Sequence, residues 1–256
     1  MMATRLLIAG RELFNRSRNQ TPLDPGAINC LVTCEVTRLG DVLSTIPALR
    51  HLRALFPHAR ILSVVDKRYE SLLGACEIGV EAVGVSGSDT IAGLLSSVRT
   101  ARRFSPDLAL SLSPARRNVA ITLGSGASRV AGYLHPLNHQ AQHVHRFPVE
   151  AQGFALARPA VYESEQIEQR SLHVAEALLG VPAEVNRTIS LRTESRWQAL
   201  ARLREYLPHL DSMFIAIHPF AGWKYREWPR GNVLILSKML LERGKYRVVF
   251  IGEKAE

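Results

Sequence analysis

The chain has 256 residues, 46% of them hydrophobic and 21% charged, which excludes disorder as its main state and allows one large domain or one domain and part of another. Thirty-two Lys and Arg against 23 Asp and Glu leave a formal charge of +9, which favours phosphate-bearing partners (nucleotides, acidic lipids or nucleic acid) without choosing among them. Cys30, Cys34 and Cys76 form no CxxC pair, which excludes a disulfide framework and a cysteine zinc site, so they read as buried thiols.

Residues 1–28 carry four Arg and little periodicity, so a peripheral N-terminal arm is expected. The apolar run at 6–10 is too short for a signal peptide, and no later stretch approaches a membrane span, so a cytoplasmic protein is expected. Residues 28–36 are a β-rich run broken by Arg38-Leu39-Gly40-Asp41. Beyond it Val42, Leu43, Ile46, Leu49, Leu52 and Phe56 recur at helical spacing. Pro47 leaves two placements for this helix: a start near Asp41 with a bend at Pro47, or a start near Ser44. Residues 60–66 supply the next strand, and such a βαβ unit implies a parallel sheet.

The alternation continues with a strand at 82–85, a helix at 91–104 and strands at 107–112 and 129–133. Gly124-Ser125-Gly126 lacks the third glycine and the Lys-Ser/Thr of a phosphate loop and reads as a turn before the last of these. An amphipathic helix from about Glu165 to Leu179 is closed by Gly180 and Pro182. Residues 29–182 thus read as a Rossmann-like domain and 183–195 as a linker. A helix at 194–206, a strand at 214–217, a helix at about 229–243 and a strand at 247–251 begin a second α/β domain over 196–256. One βαβ unit takes roughly 30 residues or more, so this domain is expected to be incomplete at Glu256, with uncovered apolar faces that favour association.

Two segments carry candidate chemistry. Arg38-Leu39-Gly40-Asp41 lies where the first strand passes into the first helix, the end of a parallel sheet at which open α/β folds bind ligands. Gly40 permits a tight turn or a close backbone approach. Asp41 has two readings: general base toward a substrate hydroxyl, or helix N-cap with no catalytic duty. The second segment runs from His218 to Pro229 and ends at a helix start. Lys224 and Arg226 there suit a diphosphate beside helical N–H groups, or are solvated loop charges with Trp228 as a packing anchor.

From Arg99 to Arg146 there are seven Arg, no Lys and a single acid, Asp107. Arg116 and Arg117, just past a strand end, suit a phosphorylated acceptor, or belong to a solvated face. Aromatic residues are not interleaved with this patch, so no nucleic acid is expected as partner. His135, His139, His143 and His145 imitate a metal face, but Pro136 and Phe147-Pro148 break the helix it would need, and no metal is expected.

In these segments the chain resembles the family-9 glycosyltransferases, the heptosyltransferases of the lipopolysaccharide inner core. The likeness is carried by Arg38-Leu39-Gly40-Asp41-Val42-Leu43, Pro47-Ala48-Leu49 and Phe56 to Ile61, then by 107–112 and 129–133. It ends with His218-Pro219 through Arg226-Glu227-Trp228-Pro229 and Val248-Val249-Phe250-Ile251-Gly252. It covers about residue 29 onward and implies a GT-B architecture, two Rossmann-like domains with parallel sheets, the second incomplete. The implied activity is metal-independent, inverting sugar transfer without a cofactor.

By the same resemblance the donor is a nucleotide diphosphate sugar, ADP-heptose, and the acceptor a lipid-linked, lipopolysaccharide-core-like saccharide. The enzyme would work at the inner face of the membrane, in peripheral contact with its anionic surface. Asp41 takes the place of the family's base, Arg226, Lys224 and His218 that of its nucleotide-sugar contacts, and Arg38, Gly40, Arg116 and Arg117 lie on the acceptor side. Phe220-Ala221-Gly222-Trp223 replaces the family's small Ser/Thr-rich loop, and its Asp-x-Gly-x-x-His segment would lie beyond Glu256, without which this form would be inactive. Two alternatives remain: a paralogue using another nucleotide sugar, and a non-catalytic module that binds nucleotide sugar or anionic lipid.

Overall fold

The computed structural model describes residues 23–113, 115–132, 167–179, 181–182, 186–207, 213–221 and 224–252. The chain divides into two compact units, Met1–Arg192 and Thr193–Glu256. The expected arm (residues 1–28) therefore lies largely outside the described residues, as do His135, His139, His143 and His145.

The first unit is built on a five-stranded parallel sheet of β1 (Cys30–Glu35), β2 (Arg60–Asp66), β3 (Glu81–Val85), β4 (Leu108–Ser111) and β5 (Arg129–Gly132), in the order β3-β2-β1-β4-β5. In register, Leu31 faces Ile61 on one side and Leu108 on the other. The central strands are buried at nearly every position, as a parallel sheet covered on both faces requires. Asp107, the one acid of the arginine-rich stretch, accepts the backbone N–H groups of Asn29 (2.8 Å) and Cys30 (3.0 Å) and so fixes the start of β1 beside β4.

Helices cover both faces. On one, Leu31, Leu108 and Leu110 pack with Ile46, Leu49 and Leu52 of α2 (Ile46–Leu55) and Leu172 and Ala175 of α6 (Ile167–Leu179). On the other, Val32, Cys34, Leu62 and Val64 meet Val98 and Ala101 of α4 (Ile91–Arg102) and Ile121 of α5 (Arg116–Gly124). Each fully buried Leu, Ile or Val among them contributes about 1.5–3 kcal/mol. Cys34, wholly enclosed here, has its thiol pushed up to about 12 by burial, which makes it inert as a nucleophile.

The segment after the 41-turn is two helices. α1 (Leu39–Ser44) ends at Thr45, and α2 starts at once, with Pro47 in its first turn, where a missing N–H costs nothing. A short α3 (Glu70–Ala75) precedes β3. Part of the stretch expected as linker packs on the first unit instead: Arg50 donates to the Thr188 carbonyl (2.5 Å), and the N–H groups of Glu77 and Arg192 reach the Ser190 and Ala75 carbonyls (both 2.8 Å).

The second unit contains α7 (Thr193–Tyr206), α8 (Arg230–Glu242) and a parallel pair, β6 (Phe214–Ile217) and β7 (Arg247–Phe250). Among its described residues only Val233 and Ser237 are buried. Leu234, Ile235, Met239 and Phe250 are exposed, as expected for α8 and β7 with uncovered apolar faces.

Candidate active site

The chain runs outward from β1 through β2 to β3, then returns to lay β4 on the other side of β1. The strand order therefore reverses between β1 and β4, and the loops leaving their C-terminal ends diverge to form the crevice where such sheets take ligands. Both predicted segments of the first unit lie there: Arg38, Gly40 and Asp41 after β1, and Arg116 and Arg117 at the start of α5 after β4.

Asp41 is the third residue of α1, and the N-cap position belongs to Arg38. Asp41 therefore caps α1 from its third position, as the acid of a capping box, and not as the N-cap residue itself. The carboxylate reaches back to the Arg38 N–H at 3.4 Å, a long contact, and lies 2.9 Å from the Thr37 hydroxyl. It is half-buried, with Arg38, Leu39 and Gly40 exposed before it. Gly40 does not supply a tight turn, because it sits in helical backbone. A Cβ built on it would meet nothing within 4 Å, so the surface at Gly40 itself is open.

Behind Asp41 lies a polar network that sequence reasoning passed over. Glu35, the last residue of β1, is 1% exposed. Its Oε1 is within hydrogen-bond distance of the Thr37 hydroxyl and accepts from Asn118 Nδ2 at 3.0 Å. The same amide nitrogen donates to Ser113 Oγ (2.8 Å), and Asn118 Oδ1 accepts the Val36 N–H (2.9 Å). Burial pushes the Glu35 carboxyl above its ordinary value, the Thr37, Asn118 and Ser113 hydrogen bonds oppose that, and the Asp41 charge adds to it. The available signal was one acid at the end of an apolar strand.

The basic patch is partly structural. Arg117 pairs with Asp89, and Arg102 Nε donates to the Gly124 carbonyl at 2.6 Å, tying α4 to the end of α5. Arg38 and Arg116 are exposed at the crevice. Ser125-Gly126 forms the expected turn, with Gly126 at φ +83°.

In the second unit His218 follows β6, exposed, with its ring edge-on to Phe220 (centroids 6.4 Å apart). A Cβ on Gly252, just past β7, would come within 2.7 Å of the Phe220 ring, so the loops leaving the two strands meet there. Lys224 and Arg226 lie in a 3-10 turn, exposed, with the Arg226 guanidinium 5.7 Å from the Tyr225 ring centroid. Pro229 precedes α8 as its cap, and its carbonyl accepts the Asn232 N–H at 2.9 Å. Among the described residues, no three His, Cys, Asp or Glu side chains converge as a metal-ligand set, and no helix is long and apolar enough to cross a membrane.

No protein-family model and no curated protein sequence matches the chain. Its fold does match solved structures. A glycosyl transferase family 9 protein from Veillonella parvula superposes with a TM-score of 0.66 at 21% identity, over 88% of this chain and 62% of that one. The E. coli ADP-heptose LPS heptosyltransferase II gives 0.65 at 16% identity, over 88% and 64%. The fold is that of the family-9 glycosyltransferases. E. coli heptosyltransferase WaaC with ADP gives 0.63 at 12% identity, over 88% of this chain and 68% of that one. The chain spans just under two thirds of the length of the first two structures.

Proposed function

We propose that the chain is a glycosyltransferase, or the larger part of one, that transfers a sugar from a nucleotide diphosphate donor with inversion and without a metal. The observation that carries this is the placement of Asp41: a half-buried carboxylate just after β1, at the strand-order reversal of a family-9 fold. An acceptor hydroxyl placed against it would give its proton to Asp41 while its oxygen forms the bond to the anomeric carbon. The bond from that carbon to the diphosphate breaks, and its electrons leave with the phosphate oxygen. In the second unit by itself, Arg226 and Lys224, with the N-terminus of α8 after them, carry the cationic and N–H groups that suit a diphosphate. His218 would contact the nucleotide sugar from the same loop; Arg38 and Arg116 would take the acceptor's acidic groups, Gly40 would let the acceptor come close, and Arg117 would join them only by leaving Asp89.

Two of the solved neighbours are named for ADP-heptose or ADP. These names support ADP-heptose as donor and a lipopolysaccharide-core-like saccharide as acceptor, and the formal charge of +9 suits a lipid-linked acceptor met at an anionic surface. In the full-length protein Asp41→Asn keeps donor binding and lowers turnover by about 10²–10⁴, the range for a lost general base. Near-normal turnover would remove Asp41 from the mechanism, and the absence of transfer from any nucleotide sugar tried would leave a binding module.

A further inference from the structure

The Thr37 hydroxyl lies between two carboxyl groups, within hydrogen-bond distance of Glu35 Oε1 and 2.9 Å from Asp41 Oδ2. A hydroxyl has one proton to donate. Were both carboxyls ionised, one contact would set two oxygens together with no proton between them. Glu35 cannot turn away into water, since it is 1% exposed. A second proton brought by one of the two carboxyls gives each contact its own donor.

Which one follows from their surroundings. Asp41 is half-buried, opens the first turn of α1 and accepts the Arg38 N–H. Glu35 is enclosed, with Val65 opposite it on β2, the neutral amide of Asn118 from α5 and Ser113 from the loop after β4. The other titratable groups interacting with it are the buried Cys34 thiol on its own strand and Asp41 itself. Among the described residues no cation acts on it to hold a negative charge, and burying an uncompensated carboxylate is costly.

We propose that Glu35 is a positioning residue that stays protonated at neutral pH: it donates to the Thr37 hydroxyl, which donates in turn to the Asp41 carboxylate and fixes its orientation. The proton order is Glu35 O–H to Thr37 Oγ1, and Thr37 O–H to Asp41 Oδ2. When Glu35 ionises at alkaline pH, the Thr37 proton swings to the new carboxylate. Asp41 then loses a donor and gains a like charge beside it. The bearing on turnover rests on Asp41 being the base, whereas the proton order itself needs no substrate.

The test is carboxyl-carbon NMR on the whole 256-residue chain, with labelled Asp and Glu, across neutral and alkaline pH. Glu35 is expected to show the protonated carboxyl shift at pH 7, and the Asp41 signal to step when Glu35 ionises. Glu35→Gln, fixed in the neutral form, abolishes that alkaline step. Thr37→Val uncouples the two signals, and Thr37→Ser, which keeps the hydroxyl, restores the coupling. Should the valine variant not fold, the serine and glutamine variants carry the comparison. An ionised Glu35 at pH 7, or an Asp41 step that survives in Glu35→Gln, overturns the proposal. Near-normal turnover in Asp41→Asn with the coupling intact would instead sink the reading of Asp41 as base and leave the proton order standing.

Discussion

Glu35 and Asp41 lie close together with opposite fates, because one side chain is enclosed and the other reaches the crevice. Burial raises the Glu35 carboxyl above its ordinary value of 4.5, so the folded chain holds a proton that the unfolded chain releases. Stability from this group is complete below the ordinary glutamate range and is lost as pH rises toward the raised folded value. Glu35→Gln removes that loss. In urea unfolding its stability relative to the parent should therefore rise from pH 4 to pH 8, whereas a pH-independent difference would mean that Glu35 ionises alike in both states. The place of Asp41, in the first helical turn after β1, was legible in the sequence because its cue is local, a Gly-Asp pair after a strand. Its support was not. Asn118 meets Glu35 across 83 positions of chain, and a pairing that distant has no local pattern to read.

The helices show what periodicity reveals and what it hides. α4 has an apolar stripe on a polar background and was expected within two residues of its observed ends. α5 was not anticipated. It is buried at seven successive positions, Asn118 to Gly124, so it has no polar face to create a period. Its close crossing with α4 is set by Gly124, where a Cβ would lie 2.8 Å from Val98 Cγ1. At the other end of α4, a Cβ on Gly93 would meet the Gly87 carbonyl oxygen at 1.9 Å, and Gly87 itself is held at φ +67°. Gly93→Ala thus sets a helix-propensity gain of at most about 1 kcal/mol against overpacking of about 1–3 kcal/mol on backbone that cannot yield. Net destabilisation is expected. Gly74→Ala in α3, where a Cβ meets nothing within 4 Å, should raise stability by about 0.4–1 kcal/mol. Denaturant midpoints of the two variants check this, and a stabilised Gly93→Ala would show that the α4 entry is looser than its geometry.

At the scale of the molecule, strand and helix alternation announced a parallel α/β fold, but not the order of its strands. The pattern of β1, α2 and β2 demands a neighbour for β1 on its far side without saying that β4 fills it, and it is this placement that makes the crevice. The same physics separates the two units. In the first, Leu31, Val32, Leu62, Val64 and Leu110 are sealed between two helical layers. In the second, the strand pair β6 and β7 has no fully buried residue, and only Val233 and Ser237 of α8 are buried beside it. Local opening is governed by how much apolar contact must be broken, so β6 and β7 should open far more readily than β1 and β2. In native-state hydrogen exchange the amides of Ile215 and Val249 should exchange at least about ten times faster than those of Val32 and Val64, a gap of about 1.4 kcal/mol or more in opening free energy. Ligand offers a second arm: ADP held by the loop that carries Lys224 and Arg226 would slow exchange in β6 more than in β1, since binding stabilises the unit it contacts. Equal protection in both units without ligand would mean that β6 and β7 are covered by contacts equivalent to those around β1, in conflict with the exposure of Phe214 and Phe250.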